Sequence, residues 1–261
     1  MLVSDLDGTL LDHHDYSYAA ALPALRRLQS LRIPLVLASS KTFEELLEYN
    51  RRLENPHPLI AENGALVAIP EGYFPDQLPG RQEQGYCLLS PAIGIAQIRR
   101  VLSSLRAEGF EFRAFGDMDV DEIRSHTGLN TASARLASYR RASEPLLWRG
   151  EGERKTDFID ALRMRGLRVL QGGRFLHVLG PSDKASALAL LRRRFGYPRV
   201  VALGDSPNDL ELLRAADHPV VVRRPDGSHF AKIGDTALYT QGVGPLGWNE
   251  AIQGLLDTLV E

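Results

Sequence analysis

Cysteine is nearly absent from this chain, and long apolar runs are missing altogether. The single cysteine, Cys87, rules out an internal disulfide, and such sparse use is typical of proteins from a reducing compartment. We therefore expect a cytoplasmic protein. No apolar stretch approaches the roughly 20 residues that span a bilayer. Met1 leads directly into a strand pattern, without the basic and apolar regions of a secretory leader, so neither a membrane anchor nor export is predicted.

A strong charge of one sign is also lacking. The 31 basic and 33 acidic residues leave a formal net charge of −2, so we expect no electrostatic attraction to nucleic acid. The composition, with 44% hydrophobic and 25% charged residues, is that of an ordinary globular protein. A chain of 261 residues can form one large domain or two small ones.

Lysine is the third scarce residue, because it stands only at positions 41, 155, 184 and 232, whereas arginine is abundant. Lysine presents a compact point charge and arginine a broad fork, so the two are not interchangeable at a tight anion site. Lys41 follows a predicted strand, and Lys184 opens a predicted helix after Pro181-Ser182-Asp183. Both are therefore candidates for binding an anionic group.

Two carboxylates end the first predicted strand. A short apolar run leads into Asp5-Leu6-Asp7, and Gly8 then permits a turn. Carboxylates at the end of a buried strand suit a hard cation. One of them could attack an electrophile while the other moves a proton. Two exposed aspartates at a strand end are the alternative explanation.

The second predicted strand, Ile33–Ala38, ends in hydroxyl groups. Ser39-Ser40-Lys41-Thr42 follows it and opens the predicted helix Phe43–Leu53. A hydroxyl-rich strand end at a helix N-terminus can bind phosphate, because free backbone N–H groups and the helix dipole point toward it. Ordinary helix capping would use the same hydroxyls.

Two more strands end in polar residues. Leu59–Ala61 leads into Glu62-Asn63-Gly64, and the Asn-Gly pair predicts a hairpin. Arg199–Leu203 ends in Gly204-Asp205-Ser206-Pro207-Asn208-Asp209, where Pro207 suits the first turn of a helix. The order of elements and their polar ends predict an α/β fold with a doubly wound, Rossmann-like parallel sheet.

The middle of the chain changes character near residues 81–86. We predict domain limits of 1–82 for the first part of the sheet domain, 83–170 for an inserted α+β unit, and 171–261 for the rest of the sheet domain. The insert is predicted to contain the helices Ala92–Glu108, Asp119–Gly128, Asn130–Tyr139 and Arg154–Arg165, and the strands Phe110–Phe115, Pro145–Trp148 and Arg168–Leu170. Beyond it we predict a hairpin and strand over 172–179, a last strand over 218–222, a glycine-rich loop over 241–247, and a closing helix whose apolar face includes Trp248, Ile252, Leu255 and Leu259.

The polar strand ends should meet at one edge of the sheet. Four of the predicted groups are carboxylates, and they repel one another unless a cation holds them. Oxygen ligands with room for water indicate Mg²⁺. Together with a lysine and a hydroxyl at a helix start, the set describes a phosphoryl-transfer site. The residues are Asp5, Asp7, Ser39, Lys184, Asp205 and Asp209.

A basic patch in the insert contains Arg135, Arg140 and Arg141, followed by Ser143-Glu144-Pro145. Such a cluster is either a solvated face or a clamp for an anionic group, because the guanidinium fork matches carboxylate and phosphate alike. His177 lies among apolar neighbours and would by default be a structural histidine.

These motifs resemble those of the haloacid-dehalogenase-type (HAD) phosphatases over nearly the whole chain. The four ordered motifs are Asp5-Leu6-Asp7-Gly8-Thr9, Ser39, Lys184 and Gly204–Asp209, and the large insert resembles the C2-type (C2B) cap of that superfamily. More narrowly, four further segments resemble the mannosyl-3-phosphoglycerate phosphatase branch. They are Ser39–Thr42, Glu62-Asn63-Gly64, Arg140 with Ser143-Glu144-Pro145, and Gly173-Arg174-Phe175-Leu176-His177.

The resemblance implies a role for each catalytic residue. Asp5 would be the nucleophile that forms an aspartyl-phosphate, and Asp7 would be the acid and then the base. Mg²⁺ would bind the Asp5 carboxylate, the Asp7 carbonyl and Asp205, with Asp209 close by. Ser39 and Lys184 would hold the phosphoryl oxygens. The implied activity is hydrolysis of mannosyl-3-phosphoglycerate to mannosylglycerate, a phosphoric monoester hydrolysis in compatible-solute synthesis.

The same resemblance suggests contacts to the phosphorylated sugar acid. Its carboxylate would meet Arg140, Lys41 or the loop over 242–247, and its sugar hydroxyls would meet other polar residues. The predicted substrate-binding residues are Ser40, Lys41, Glu62, Asn63, Gln82, Arg140, Ser143, His177 and Asn208. Three alternatives stay open: another sugar-phosphate phosphatase, a phosphomannomutase-like phosphotransferase, and a non-enzymatic sugar-phosphate-binding protein.

Overall fold

The computed structural model describes residues 1–89, 93–172 and 174–259, and residue 259 is described for its backbone only. The strands of the described residues form two β-sheets. The strands are β1 (Leu2–Ser4), β2 (Leu35–Ala38), β3 (Leu59–Ala61), β4 (Leu66–Pro70), β5 (Arg81–Glu83), β6 (Tyr86–Leu89), β7 (Phe112–Ala114), β8 (Ser143–Trp148), β9 (Arg168–Gly172), β10 (Phe175–Leu179), β11 (Val201–Gly204), β12 (His218–Arg223) and β13 (Leu238–Val243). The helices are α1 (Leu22–Ser30), α2 (Phe43–Arg52), α3 (Ile95–Ala107), α4 (Val120–Thr127), α5 (Thr131–Ser138), α6 (Gly152–Met164), α7 (Lys184–Arg194), α8 (Leu210–Arg214) and α9 (Gly244–Leu259).

The larger sheet has the strand order β13-β12-β11-β1-β2-β3-β4-β6-β5. Pairing is parallel from β13 to β3 and antiparallel from β3 to β5. Its short inner strands are buried, as a sheet covered on both faces requires. Strand order reverses around β1, which lies between β2 and β11, and a ligand site is expected at such a switch point. The predicted doubly wound α/β fold is confirmed.

The smaller sheet is antiparallel throughout, in the order β7-β8-β10-β9. Helices α3 and α6 pack on it through an apolar cluster in which the Phe158 ring lies 5.1 to 5.5 Å from the rings of Phe110, Phe112 and Trp148. We call the unit built on this sheet the cap, and the unit built on the larger sheet the core domain. The predicted α+β cap is confirmed.

The predicted domain limits of 83 and 170 remain a proposal, which strand pairing refines. β6 pairs with β4 in the larger sheet, and β10 pairs with β8 in the smaller one. We therefore propose that the cap begins between residues 89 and 93 and ends near residue 180. The predicted start of its first helix, Ala92, lies outside the described residues, as do Gly173 and the side chain of Leu259.

Most elements lie where the sequence predicts them, but the region after β12 was predicted wrongly. Residues 241–243 belong to the strand β13, and α9 begins at Gly244, so the predicted loop over 241–247 does not exist. The error has a physical cause. β13 is a polar edge strand in which only Thr240 is fully buried, so no apolar alternation marks it, and its pairing with β12 supplies its order.

Candidate active site

The loop after β1 carries the first acidic group into the interior. The Asp5 N–H donates to the Leu203 carbonyl of β11 at 2.9 Å, and the residue is only 5% exposed. Gly8 has φ +76°, and a Cβ added to it would lie 2.6 Å from Asp205 Oδ2. Glycine therefore allows both the turn and the close approach of this loop to Asp205.

Lys184 joins two of the acids. It begins α7 directly after the N-cap Asp183, and its Nζ donates to Asp5 Oδ1 and to Asp209 Oδ1, each at 2.6 Å. Burial alone would lower the pKa of Lys184, but the charges of Asp209 and Asp5 outweigh it and raise that pKa. Burial raises the pKa of Asp5, as do the neighbouring carboxylates, and Lys184 partly opposes this.

The loop after β11 supplies the other two acids. Asp209 is fully buried, and its Oδ2 accepts the N–H groups of Asp205 and Ser206, each at 3.2 Å. Asp205 Oδ1 accepts from the Thr9 hydroxyl at 3.3 Å. Burial, and then the charge of Asp209, raises the pKa of Asp205 to about 7. An Asp this difficult to ionise marks a place where a positive charge would stabilise the site.

A divalent cation fits this cluster. One carboxylate oxygen from each of Asp5, Asp205 and Asp209 lies within 4.8 Å of the others, and all three residues are buried. Hard oxygen donors of this kind are those that Mg²⁺ binds. The Asp7 carboxylate is not part of the cluster among the described residues; the predicted Asp7 contact was through its carbonyl.

Asp7 is instead paired with Lys41. Lys41 Nζ lies 2.9 Å from Asp7 Oδ1, and the lysine side chain is 9% exposed against 37% for the aspartate. The rings of Tyr16 and Tyr49 cover the ammonium at 5.1 and 5.7 Å. Burial lowers the pKa of Lys41, but Asp7 and Glu45 outweigh it and raise that pKa. Lys41 thus holds the Asp7 carboxylate at the edge of the acid cluster.

Three further predicted residues, Ser39, Asn63 and Asn208, lie at the same sheet edge, together with Thr42. Ser39 is buried after β2, and its Oγ accepts the Lys41 N–H at 3.3 Å. Asn208 Nδ2 donates to Asn63 Oδ1 at 3.1 Å, so the β3 and β11 loops are joined. Thr42 caps α2 and also donates to the Leu136 carbonyl of α5 at 2.9 Å.

A cavity of about 680 Å³ lies between the core domain and the cap. Asp5, Asp7 and Asp205 line its floor. The cap contributes two arginines, one histidine and several apolar side chains, among them Arg140, Arg174, His177, Phe115, Pro145 and Phe175. The space accommodates a small phosphate ester that extends from the acids toward the cap.

Two predicted cap residues face this cavity in different ways. The Arg140 guanidinium already makes two hydrogen bonds within the protein. Its Nη1 donates to the Ser40 carbonyl at 2.8 Å, and its Nε donates to the Ala137 carbonyl at 2.9 Å. His177 Nδ1 has no hydrogen-bond partner among the described residues. Burial, and then the charges of Arg140 and Lys184, lowers the pKa of His177 to about 3, so the ring is neutral at pH 7.

Three predicted sugar contacts lie away from the cavity wall. Glu62 and Ser143 are fully buried and bond to each other, with Ser143 Oγ donating to Glu62 Oε2 at 2.6 Å. Gln82 lies on the edge strand β5, five strands from β1, which is about 24 Å at the usual strand spacing. Gln82 is therefore too far away to bind the substrate, and Glu62 and Ser143 are occupied elsewhere.

Sequence reasoning did not name Arg224 or Arg174 as site residues, although Arg174 lies in the segment 173–177 that carries part of the family resemblance. Arg224 lines the cavity and its Nε donates to the Asp205 carbonyl at 2.8 Å, whereas Arg174 reaches the cavity from the turn between β9 and β10. The signal for Arg224 was present, because β12 is a parallel strand and its end meets the same sheet edge. For Arg174 the available signal was the family resemblance of its segment, because the direction of a hairpin turn is not fixed before the cap is assembled.

The chain is similar in sequence to known hydrolases. The family model described as haloacid dehalogenase-like hydrolase matches residues 2–79. A "Glucosyl-3-phosphoglycerate/mannosyl-3-phosphoglycerate phosphatase" of Methanococcoides burtonii is 39% identical to the chain, over 98% of the chain and 97% of the relative. The chain belongs to the haloacid-dehalogenase-like hydrolases.

Two further matches agree with this family. A protein of the same name from Persephonella marina is 34% identical, over 99% of the chain and 98% of the relative. The crystal structure of a haloacid dehalogenase-like hydrolase from Bacteroides thetaiotaomicron superposes with a TM-score of 0.69 at 20% identity, over 97% of this chain and 98% of that one. This HAD enzyme therefore has the core and cap of its family. The class predicted for it, phosphoric monoester hydrolase, agrees with the names of both relatives.

Proposed function

We propose that this HAD enzyme is a Mg²⁺-dependent phosphatase that hydrolyses the phosphate ester of mannosyl-3-phosphoglycerate to mannosylglycerate, a step of compatible-solute synthesis. The observation that carries the proposal is the buried Asp5–Lys184–Asp209 group beside Asp205, under a cavity roofed by the cap. The names of two full-length relatives supply the substrate. A buried free thiol at Cys87 fits the reducing cytoplasm in which we place the enzyme.

The first half of the reaction transfers the phosphoryl group to the enzyme. A carboxylate oxygen of Asp5 attacks the phosphorus, the phosphorus–oxygen bond of the ester breaks, and an aspartyl-phosphate forms. Asp7 gives its proton to the departing alcohol oxygen. Lys41 supports this step by orienting the Asp7 side chain from 2.9 Å.

The second half releases phosphate. Asp7 takes a proton from a water molecule, the water oxygen attacks the phosphorus, and the bond from phosphorus to Asp5 breaks. Inorganic phosphate leaves, and both aspartates return to their starting states. The net reaction consumes one water molecule and needs no other reactant.

Positive charge stabilises the phosphoryl group throughout. Lys184 already lies 2.6 Å from Asp5, so it is placed to pair with a phosphoryl oxygen, and the Ser39 hydroxyl lies at the start of the neighbouring loop. When bound at Asp5, Asp205 and Asp209, Mg²⁺ supplies further charge neutralisation. Asn208 donates a hydrogen bond to Asn63, and from this position it orients Lys184 or the phosphate.

The cap serves the sugar-acid half of the substrate. Arg140 and Arg174 bring positive charge to the cavity wall, which suits a carboxylate. The free Nδ1 of His177 is available to bond a sugar hydroxyl. Both relatives are named for glucosyl as well as mannosyl substrates, so we propose dual activity, since two sugars that differ in one hydroxyl are hard to distinguish without a buried group that binds it.

Phosphate release from a substrate panel with Mg²⁺ tests the proposal. The panel contains mannosyl-3-phosphoglycerate, glucosyl-3-phosphoglycerate, 3-phosphoglycerate, mannose 6-phosphate and sucrose 6-phosphate. We expect the two glycosyl-phosphoglycerates to have the highest kcat/KM, and Asp5→Asn to lose at least about 1,000-fold. Asp15→Asn, a change in an exposed loop, should keep full activity.

Other results would redirect the assignment. Preference for a plain hexose phosphate would keep the mechanism and reject the substrate. Activity that depends on an added sugar bisphosphate would indicate a phosphomannomutase-like transferase. If Asp5→Asn kept activity, the proposed nucleophile would be wrong.

A further inference from the structure

The Glu62 side chain binds the cap rather than the substrate cavity. Its Oε1 accepts the Arg141 N–H at 2.9 Å, and its Oε2 accepts the Ala142 N–H at 3.1 Å and the Ser143 hydroxyl at 2.6 Å. Glu62 belongs to the core domain and follows β3, whereas the donors belong to the cap: Arg141 and Ala142 lie in the loop between α5 and β8, and Ser143 is the first residue of β8. A fully buried carboxylate with three donors forms strong, charge-assisted hydrogen bonds.

The bound loop lies where the chain passes between the domains. The Arg141 carbonyl accepts the Ile95 N–H at 2.7 Å, close to where the chain enters the cap. Ser143 pairs with Leu179, the last residue of β10, beyond which the chain returns to the core domain. A contact at this point acts at the pivot of any cap movement.

Two more core-domain carboxylates hold the same loop. The Arg141 guanidinium donates to Glu83 at 2.7 and 3.0 Å and also to Glu44. These bonds are made by the side chain, however, and leave the loop backbone to Glu62. Glu62 thus binds the backbone of the loop, whereas Glu83 and Glu44 bind the Arg141 side chain.

The loop carries Arg140 and leads directly into β8, and both contribute to the cavity wall. Arg140 precedes Arg141 and lines the cavity, with its guanidinium on the Ser40 carbonyl. Pro145 follows on β8, also lines the cavity, and is paired with His177 of β10. A shift of the loop backbone would therefore move both Arg140 and His177.

The backbone at Glu62 also departs from ordinary geometry. Glu62 has φ +50° and Asn63 φ +57°, a left-handed conformation that is unfavourable for a residue other than glycine. Such conformations persist where the surroundings hold them, and they cluster at functional sites. Here the conformation directs the Glu62 carboxylate onto the cap loop while Asn63 faces Asn208.

We propose that Glu62 is a positioning residue that anchors the cap loop 140–143 to the core domain and thereby sets Arg140 and His177 over the sugar-acid part of the substrate. It acts without contact to the phosphate. The proposal rests on the proposed function for its substrate, but the anchor itself is a statement about the structure.

Glu62→Gln tests the anchor, because it keeps the shape of the side chain. Its amide nitrogen must face one of three donors, so at least one bond is lost. Losing 1.5–3 kcal/mol of such bonding corresponds to about a 10- to 100-fold fall. We expect that fall in kcat/KM for mannosyl-3-phosphoglycerate, mainly through KM. Hydrolysis of p-nitrophenyl phosphate, which has no sugar-acid part, should stay within about twofold. Glu54→Gln, an exposed change, is the matched control.

Hydrogen exchange supplies a second measurement that needs no substrate. The Arg141 and Ala142 amides should exchange at least about tenfold faster in Glu62→Gln than in the wild type or in Glu54→Gln. Ser143→Ala is a milder variant that removes one donor and keeps the carboxylate. Its kinetic effect should be non-additive with that of Glu62→Gln.

The outcomes separate the two proposals. Equal losses on both esters would give Glu62 a general structural role and overturn the anchor. Unchanged exchange at residues 141 and 142 would overturn it as well. If the wild-type panel shows no preference for glycosyl-phosphoglycerates, the proposed function fails, and hydrogen exchange still decides whether Glu62 holds the loop.

Discussion

Lys184 forms short hydrogen bonds with two buried carboxylates, those of Asp5 and Asp209. The ammonium lies 2.6 Å from both Asp5 and Asp209 and is 1% exposed, so it is the main compensation for two carboxylates that water cannot reach. Pairs of this kind contribute little net stability, but breaking one leaves an uncompensated charge. The same bonds keep Lys184 beside the proposed nucleophile, so stability and catalysis depend on one side chain.

Lys184→Met should lower the free energy of unfolding by about 3–5 kcal/mol at pH 7 in EDTA, because two buried carboxylates lose their cation. Urea denaturation measures the change. Added Mg²⁺ should recover part of the loss in the variant by binding the freed acids. Lys232→Met, at a side chain that is 82% exposed, should change stability by less than about 0.5 kcal/mol. A loss below about 1 kcal/mol for Lys184→Met would contradict the argument.

At the scale of elements, the segment Glu62–Gly64 joins the parts of the site. Asn63 bonds Asn208 of the β11 loop, and Glu62 bonds the cap. Gly64, with φ +91°, packs directly on the start of α7. A Cβ there would lie 2.0 Å from the Asp183 carbonyl oxygen and 2.5 Å from the Lys184 nitrogen. The first turn of α7 can reach Asp5 only because this position has no side chain.

Gly64→Ala should therefore displace the start of α7. We expect a stability loss of about 2–5 kcal/mol, the sum of a left-handed penalty and overpacking. A shift of Lys184 by about 1 Å should lower kcat by roughly 100-fold. Thermal unfolding and phosphate release measure the two effects.

Gly72→Ala is the matched control, because Gly72 has φ +71° but no atom within 4 Å of an added Cβ. It should show only the backbone penalty of about 1–2 kcal/mol, with kcat unchanged. Equal effects at Gly64 and Gly72 would show that α7 tolerates the added methyl group.

At the scale of the whole molecule, the sheet edge concentrates acids that the chain keeps far apart in sequence. Asp205 in the metal-free protein has a pKa of about 7, well above that of an unfolded chain. The folded state therefore binds this proton more tightly, and the Asp205 contribution to stability falls as pH rises toward 7. Buried neutral His177 has the opposite effect below about pH 6.5, because its folded pKa is lowered.

A comparison with Asp205→Asn isolates the acid from the histidine. In EDTA, the free energy of unfolding of the variant should rise relative to the wild type by roughly 2 kcal/mol between pH 5 and 7. Urea melts across that range measure it. With Mg²⁺ the difference should reverse, since the metal stabilises only the wild-type site fully. A constant difference in EDTA would show that Asp205 ionises normally.

No helix in the described ranges is long and apolar enough to cross a membrane.

The cap and the core domain make contacts beyond the rim of the cavity. Thr42 bonds Leu136, Arg140 bonds Ser40, and Glu62 bonds the loop 141–143. The substrate site is therefore completed by the relative placement of two units, each with its own apolar core.

Local patterns were enough to predict the sheet edge. Asp5, Ser39 and Asp205 each follow an apolar strand, and parallel strands bring their carboxyl ends together whatever lies between them. The order of the motifs then made the placement of Lys184 predictable as well. Arg224 follows the same rule, and applying it to the last parallel strand would have found it.

The contacts of the cap could not be predicted in this way. Nothing local separates Gln82, which lies on a far edge strand, from His177, which faces the cavity. Glu62 was predicted to bind sugar on the basis of the family resemblance, yet the folded chain turns its carboxylate to backbone groups 79 and more residues away. Which polar group meets substrate and which meets protein depends on how two domains pack, and that packing involves contacts distant in sequence.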